Sequence, residues 1–416
     1  MRRRLISFRV ILLLTLTGYI VSCKSPTVEE RIDHSFQVAA ERYDSLLVAA
    51  SDLTKYPHSF TLKGEIFYFG IDEWTGGFWP GALWYMYEYT GNQKWKDAAL
   101  RWTASLESNQ YNTKHHDIGF MMFSSYGNGL RITGDTSYKP ILIQSAKSLC
   151  KRYSPTVGSI QSWNARPSIN KQNQWNYPVI MDNMMNLELL FWAAQETGDS
   201  NFYKVAVQHA KTTQKNHIRS DFGTFHVVNY DTATGAVLHQ QTLQGFSDQS
   251  TWARGQAWGI YGFTSTFRFT KDSSFLSTAK GLANFFLRHK NLPADKVPLW
   301  DFNVGETGFT PDWNYDSTVY PIIPRDVSAA AIAASALFEL STYCQGDEQQ
   351  YYKNAATDMI VSLSQEPYLN TKKTNPYFLL NGSVGNFPAG REINVPLIYA
   401  DYYFLEAMHR YLNSKK

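Results

Sequence analysis

Two aspartates occupy equivalent places along this chain. Asp117 follows His115-His116 and precedes Ile118-Gly119-Phe120; Asp182 follows Met181 and precedes Asn183-Met184-Met185-Asn186. Each stands just ahead of a stretch patterned as an apolar helix. Packed helices lie about 8–10 Å apart axis to axis, so carboxylates at the mouths of two neighbours can face one small ligand. Two nearby carboxylates drive their pKa values apart, which lets one act as an acid while the other stays ionised. A helix N-terminus works the other way by favouring the anion, and Asp is itself a preferred capping residue. Capping and catalysis therefore both remain open for these two residues. Arg254 opens a third such helix within segment 247–258. It can fork onto a substrate carboxylate or sit in a structural ion pair. His226 taken alone reads as an ordinary histidine. His115-His116-Asp117 has the residue types of a metal site, but no third or fourth ligand follows at metal-site spacing, so no metal or other cofactor is expected.

The elements that must position these groups announce themselves through a repeated punctuation mark. It reads Thr90-Gly91-Asn92, Thr133-Gly134-Asp135, Thr197-Gly198-Asp199, Thr270-Lys271-Asp272 and Gln345-Gly346-Asp347. Gly stops a helix in the left-handed region, and Asp or Asn caps the next one, so each mark is the turn of a helical hairpin. The predicted pairs are 77–89 with 93–106, 119–132 with 137–152, 183–196 with 200–216, 255–269 with 273–289, and 327–344 with 348–364. One helix is left at each end, 28–50 and 396–412, and these two complete a sixth pair. First members are apolar nearly all round and second members are amphipathic. The expected fold is all-α, an (α/α)6 barrel of six inner and six outer helices. The tight turns close one pole. The long connections reach the other, and they hold the unusual residues: aromatics, carboxylates, His and amides. Rings that stack on pyranose faces, together with amides and carboxylates that bind hydroxyls, describe a sugar site.

The first 22 residues read as a leader rather than as part of the fold. Arg2, Arg3, Arg4 and Arg9 precede an apolar run over 10–20, and Ser22-Cys23 follows. A small residue before Cys at that point resembles a bacterial lipoprotein processing site. Residues 1–22 are thus expected to be a signal peptide, with Cys23 the lipidated start of a single domain over 23–416. The protein is expected in the periplasm, with no membrane association beyond that anchor. The formal charge of +3 rests on the leader arginines; without them the remainder is close to neutral, and nothing in the bulk charge points to nucleic acid. Cys150 and Cys344 are equally compatible with one disulfide and with two buried thiols.

Four segments, WTGGFWPG, HHDIGF, MDNMMNLELL and STWARGQAWGIYGF, strongly resemble the unsaturated glucuronyl hydrolases, glycoside hydrolase family 88. The resemblance runs through almost the whole chain after residue 22 and keeps the order of the motifs. It implies removal of the 4,5-unsaturated uronic acid from the non-reducing end of oligosaccharides made by polysaccharide lyases. It makes Asp182 the general acid and base and Asp117 its partner carboxylate. His226, Gln244, Arg254 and Trp258 would hold the unsaturated uronate, with Trp79 and Trp163 as wall aromatics. Relatives acting on sulfated chondroitin-type disaccharides carry a Ser/Lys sulfate-contact motif in the last loop. Here 385–392 reads GNFPAGRE, with Arg391 a loose substitute; heparin-, heparan- or ulvan-type fragments are then the expected substrates. Three other readings stand beside this one: an unsaturated rhamnogalacturonyl hydrolase, an ordinary inverting glycosidase, and a non-catalytic oligosaccharide-binding lipoprotein.

Overall fold

The computed structural model describes residues 25–372 and 375–415. The expected leader and Cys23 lie outside the described residues. Among the described residues twelve α-helices follow the predicted order: α1 (Val28–Ala49), α2 (Phe78–Thr90), α3 (Gln93–Ser105), α4 (Asn128–Thr133), α5 (Tyr138–Cys150), α6 (Leu187–Thr197), α7 (Ser200–Asn216), α8 (Ala253–Thr270), α9 (Ser273–Arg288), α10 (Val327–Ser341), α11 (Gly346–Leu363) and α12 (Ile398–Asn413). α2, α4, α6, α8, α10 and α12 form the inner ring. Each packs on the next, directly or through the turns that lead into α4 and α6, and α12 returns to α2. The remaining six lie outside, and α1 closes the outer circle by packing on α11 and α12. The helices at the two ends of the sequence are therefore partners. Tyr411 of α12 donates to Glu29 of α1 at 2.7 Å, and Tyr43 of α1 donates to Asp401 of α12 at 3.2 Å. α10 is buried from Val327 through Phe338, as a helix covered on every side must be.

The hairpin turns have a shared chemistry. In four of them a Thr hydroxyl donates to the carbonyl four residues back: Thr90 to Met86, Thr133 to Gly129, Thr197 to Ala193, and Thr270 to Thr266. The same hydroxyl accepts the N–H of the Asn or Asp two residues on, at 3.1–3.2 Å. The residue between is left-handed: Gly91, Gly134, Gly198, and Lys271 at φ 56°. Asn92, Asp199 and Asp272 then cap the following helix through an N–H two residues on. The fifth turn departs from this pattern. Gln345 brings no hydroxyl, α10 winds off earlier through i to i−3 bonds at Thr342, Tyr343 and Cys344, and Gly346 opens α11 instead of closing α10. Cys150 and Cys344 are unpaired thiols.

The long connections are more ordered than the sequence pattern suggested. They contain short antiparallel strands, notably Lys55–Phe60 with Ile66–Gly70, Ser383–Asn386 with Arg391–Val395, and a three-stranded sheet of Pro178–Ile180, Val227–Tyr230 and Val237–Gln241. Runs of three to six residues are too short to show a period of two, and several are buried on both faces, so they read as connection.

Candidate active site

The three-stranded sheet brings two distant residues together. Ile180 pairs with Val227, and Met181 N–H donates to the His226 carbonyl at 3.1 Å. Asp182 just follows one strand and His226 just precedes the other, so their side chains become neighbours, with His226 Nε2 3.7 Å from Asp182 Oδ2. His226 Nδ1 accepts the backbone N–H groups of Leu243 and Gln244 at 3.2 and 3.3 Å. A nitrogen that accepts carries no proton, so the neutral ring presents Nε2–H toward Asp182. Burial, and then the Arg254 charge, hold His226 well below the ordinary histidine pKa.

Asp182 caps nothing. It lies in a 3-10 turn, Met181–Asn186, that leads into α6, and that turn has no side-chain cap. Asp182 Oδ2 is buried without a hydrogen-bond partner. Burial raises its pKa to about 7, with the Arg254 charge opposing this and the Asp117 charge adding to it. The carboxyl thus keeps its proton to far higher pH than an ordinary aspartate.

Asp117 does not cap its helix either. It precedes a π-helical stretch, Gly119–Gly127, that continues into α4; such wide turns are favoured at functional sites. Gly119 lets this stretch press against the 3-10 turn that carries Asp182. A Cβ there would sit 2.6 Å from Asn186 Cα, and the Asn186 amide oxygen accepts Phe120 N–H at 2.9 Å. Burial pushes Asp117 up, but His116, His115 and Arg152 outweigh it and leave its carboxyl below the usual range. His115 Nδ1 and His116 Nε2 each lie 3.2 Å from one of its oxygens. The two aspartates therefore differ in state: one anionic, one poised to hold a proton.

Arg254 is fully buried, and its outer nitrogens are engaged. Nη1 meets Asp326 at 2.8 Å and also the Val384 carbonyl, and Nη2 donates to the Gly385 carbonyl at 2.6 Å. Only Nε is left unpartnered. The guanidinium lies over Trp252 and Tyr399. The ion pair anticipated as one of its two readings is thus present, and a ligand reaches Arg254 as a fixed charge rather than as a free fork. Gln244 Nε2 converges on the same Gly385 carbonyl at 2.9 Å. Trp258 is buried on α8 against Phe120 and Tyr403, with its indole N–H unpartnered. Trp163 is half-buried beside His116, tied there by backbone pairing of its own residue with His115.

Trp79 lies elsewhere. It is fully buried between the two rings of helices, edge-on to Tyr43 of α1 and Trp102 of α3, so it serves the core and not a pocket wall. The aromatic of that motif at the mouth is Trp74, half-buried against Phe78, Phe120 and Tyr399. Trp74 lies in the turn ahead of α2 and Trp79 in the first turn of the helix itself, and packing brings only Trp74 to the mouth. Asp326 was also missed, although it too stands immediately ahead of an inner helix, which it caps through Ser328 N–H. Among the described residues no cluster of three or more His, Cys, Asp or Glu could hold a metal ion.

A buried acid, an anionic neighbour, a neutral histidine and an unpartnered indole around one mouth can protonate a bound ligand and hold polar oxygens. Comparison with known proteins agrees. Residues 54–281 match the model of Glycosyl Hydrolase Family 88. An unsaturated glucuronyl hydrolase of Formosa agariphila is 42% identical over 411 residues, covering 97% of this chain and 98% of its own. An unsaturated chondroitin disaccharide hydrolase of Streptococcus agalactiae is 35% identical over 362 residues, 86% of each chain. Among solved structures, an unsaturated glucuronyl hydrolase specific for heparin superposes with a TM-score of 0.83 at 39% identity, covering 93% of this chain and 98% of the other. The chain belongs to glycoside hydrolase family 88, and it is a glycoside hydrolase built on an (α/α)6 barrel.

Proposed function

We propose that this protein removes the 4,5-unsaturated uronic acid from the non-reducing end of lyase-generated oligosaccharides, by hydrating the C4=C5 bond. The observation that carries this is the buried, unpartnered Oδ2 of Asp182 across from Asp117, whose two oxygens each lie 3.2 Å from a histidine nitrogen. Asp182 gives its proton to C4 of the vinyl ether, and positive charge develops at C5 and the ring oxygen. Water adds to C5 and returns a proton to the Asp182 carboxylate, which restores the acid. The hemiketal at C5 opens to a ketone, and the freed hydroxyl at C1 leaves a hemiacetal that collapses and expels the neighbouring sugar as an alcohol. Asp117 stays anionic and faces the developing cation. His226 Nε2–H, Gln244 and Trp258 serve as donors to the uronate, Arg254 supplies fixed positive charge, and Trp74 and Trp163 flank the mouth. This differs from ordinary glycoside hydrolysis, where an acid protonates the bridging oxygen.

For the neighbouring sugar, a heparin-type residue is favoured over a 6-sulfated chondroitin unit. The 385–392 loop turns its Gly385 carbonyl to Gln244 and Arg254 and its Glu392 carboxylate to His58 at 2.8 Å, while Arg391 is exposed. Loss of absorbance at the double bond, followed across heparin-, chondroitin- and ulvan-derived unsaturated disaccharides, tests both parts. A saturated glucuronide should not be cleaved, and in heavy-oxygen water the label should appear at C5. Cleavage of the saturated sugar, or label at C1 first, would favour an inverting glycosidase. We also propose that the protein is a periplasmic lipoprotein anchored through Cys23. The basic leader, the apolar run over 10–20 and Ser22-Cys23 support this, and no described helix is long and apolar enough to cross a membrane. Radiolabelled palmitate should enter the protein and be lost in Cys23→Ala.

A further inference from the structure

Arg254 offers the uronate an incomplete grip. Its Nη1 and Nη2 are spent on Asp326 and on the Val384 and Gly385 carbonyls, so Nε–H is what remains for a ligand. A carboxylate has two oxygens, and the firm grip on it is a two-point one with a donor for each. The second donor has to stand beside the guanidinium. Two rings do: Arg254 Cζ lies 4.5 Å from the Trp252 centroid and 5.3 Å from that of Tyr399. Trp252 leans on His226, with ring centroids 4.4 Å apart, and its indole nitrogen is sealed in. Tyr399, the second residue of α12, leans instead on Trp74 at the mouth, 5.0 Å away. Its ring is 1% exposed, and its hydroxyl finds no partner among the described residues, yet it is not one of the sealed atoms. The phenol oxygen feels the charge of Arg254 most, and then those of Glu392, Asp326 and Asp182, so it stands in the company of the reacting aspartate. Two of those carboxylates are occupied elsewhere: Asp326 holds Arg254 and Ser328, and Glu392 holds His58.

We propose that the Tyr399 hydroxyl is a substrate-binding donor that completes, beside Arg254 Nε, a two-point grip on the carboxylate of the unsaturated uronate, a role that rests on the reading of this mouth as the uronate site. The chemistry suits the place. An ordinary phenol, with a pKa near 10, keeps its proton at neutral pH, and its O–H bond to a carboxylate is short and charge-assisted. It also grips without adding charge. A second cation at this position would hold the uronate equally well, but it would favour the ionised form of Asp182 and take away the acid. The donor is placed in advance of binding. Trp74, Phe78 and His58 surround the ring at 5.0, 6.1 and 6.1 Å, so little side-chain freedom is lost when the ligand arrives. Trp258 Nε1 and His226 Nε2 then stay available for other oxygens of the sugar.

Tyr399→Phe removes one oxygen and keeps the ring that supports Arg254 and Trp74. Followed by double-bond absorbance on an unsaturated uronyl disaccharide, KM should rise about tenfold or more, the worth of one hydrogen bond to a charged group. kcat should stay within about twofold, because the carboxylate is held alike before and during the reaction. The deciding comparison uses the same disaccharide with its uronate as the methyl ester, which has lost the charge. The wild type should discriminate against the ester, and Tyr399→Phe should leave kcat/KM for the ester within about twofold, so that most of the discrimination disappears. Equal losses on acid and ester, or an unmoved KM, would overturn the proposal. The unfolding temperature of Tyr399→Phe should not fall, since the hydroxyl bonds nothing in the protein; a fall would show that it serves the fold and would overturn the proposal too. Calorimetric titration of the acid disaccharide into Asp182→Asn, with and without Tyr399→Phe, reads the same contact without turnover, and Kd should weaken about tenfold. An equal Kd in the two variants overturns the Tyr399 role, whereas a wild type that binds the disaccharide and leaves its double bond intact overturns the hydrolase reading instead.

Discussion

The barrel has two mouths, and both are lined with charge and aromatic rings. At the turn pole a cavity of about 870 Å³ opens among the C-terminal ends of the inner helices. Its charges answer one another. Arg131 pairs with Glu88 at 2.7 Å, Arg268 with Glu188 at 2.6 Å and Glu339 at 2.7 Å, and Arg410 with Glu339 at 2.8 Å. Tyr85 and Tyr261 donate to Glu406 at 3.0 and 3.1 Å. At the loop pole the corresponding groups are left open: Asp182 Oδ2, His226 Nε2, Arg254 Nε and Trp258 Nε1 have no partner. Charge and volume therefore do not distinguish the two mouths; unmet hydrogen-bonding capacity does, because a buried polar atom without a partner is costly unless a ligand supplies one. Two aspartates make the point within one residue type. Burial raises both Asp182 and Asp401 to about 7. Asp401 accepts Leu379 N–H, Leu380 N–H and the Tyr43 hydroxyl, and so fastens a loop to two helices. A raised pKa marks burial in both, and only the unpartnered oxygen of Asp182 marks a reactive group.

The largest effect that would test this contrast is at Asp182. Asp182→Asn should lower kcat by about 10²–10⁴ and leave the fold intact, measured by double-bond absorbance and by thermal unfolding. Its stability should also respond to pH with a definite sign. A carboxyl whose folded pKa is raised to about 7 favours the folded state fully below its unfolded value near 3.9 and loses that contribution as pH rises through about 7. Asn has nothing to lose, so the variant should gain on the wild type between pH 5 and pH 8. A wild-type turnover rate in the variant would break the comparison.

At the other pole the expected effect is on stability alone. Glu339→Ala leaves Arg268 and Arg410 without their shared carboxylate. Breaking a buried pair costs about 3–5 kcal/mol; with the arginines 30% and 22% exposed, the low end of about 3 applies. Denaturant unfolding should show that loss while kcat of the folded fraction is unchanged. The two aspartates of the reactive pole should next show their coupling. kcat/KM of the wild type should fall above about pH 7 as Asp182 loses its proton, and the midpoint of the residual activity in Asp117→Asn should move down, because the Asp117 charge helps to raise Asp182. A midpoint that stays put would separate the two carboxyls. The smallest effect is at the fourth turn, where Lys271 occupies the left-handed position that glycine holds in three others. That conformation costs a non-glycine residue about 1–2 kcal/mol, partly offset by the extra freedom glycine loses on folding. Lys271→Gly should thus stabilise by about 0.5–1 kcal/mol and leave turnover alone, read by thermal unfolding.

The sequence by itself determined the ring of helices. Thr-Gly-Asp punctuation is local: a hydroxyl on the carbonyl four residues back, a left-handed residue and a cap are all settled within the nine positions from Met86 to Lys94 and their equivalents. The order of the pairs, and the unpaired helix at each end, then implied closure. The placement of Asp117 and Asp182 at the mouths of neighbouring inner helices was legible for the same reason. What the sequence left open was the state of each side chain. Capping and catalysis gave Asp182 the same address, and only the absence of a cap bond in a buried 3-10 turn separates them. Arg254 showed its motif but not Asp326, which arrives from 72 residues away. Trp74 and Trp79 share one motif, but Trp74 lies in the turn before α2 and Trp79 in its first turn, and only packing decided which faces the mouth. The pairing of Asp182 with His226 came from a strand of three residues, too short to leave a period in the sequence. Each of these depends on long-range contacts and on burial, and both arise only when distant segments pack together.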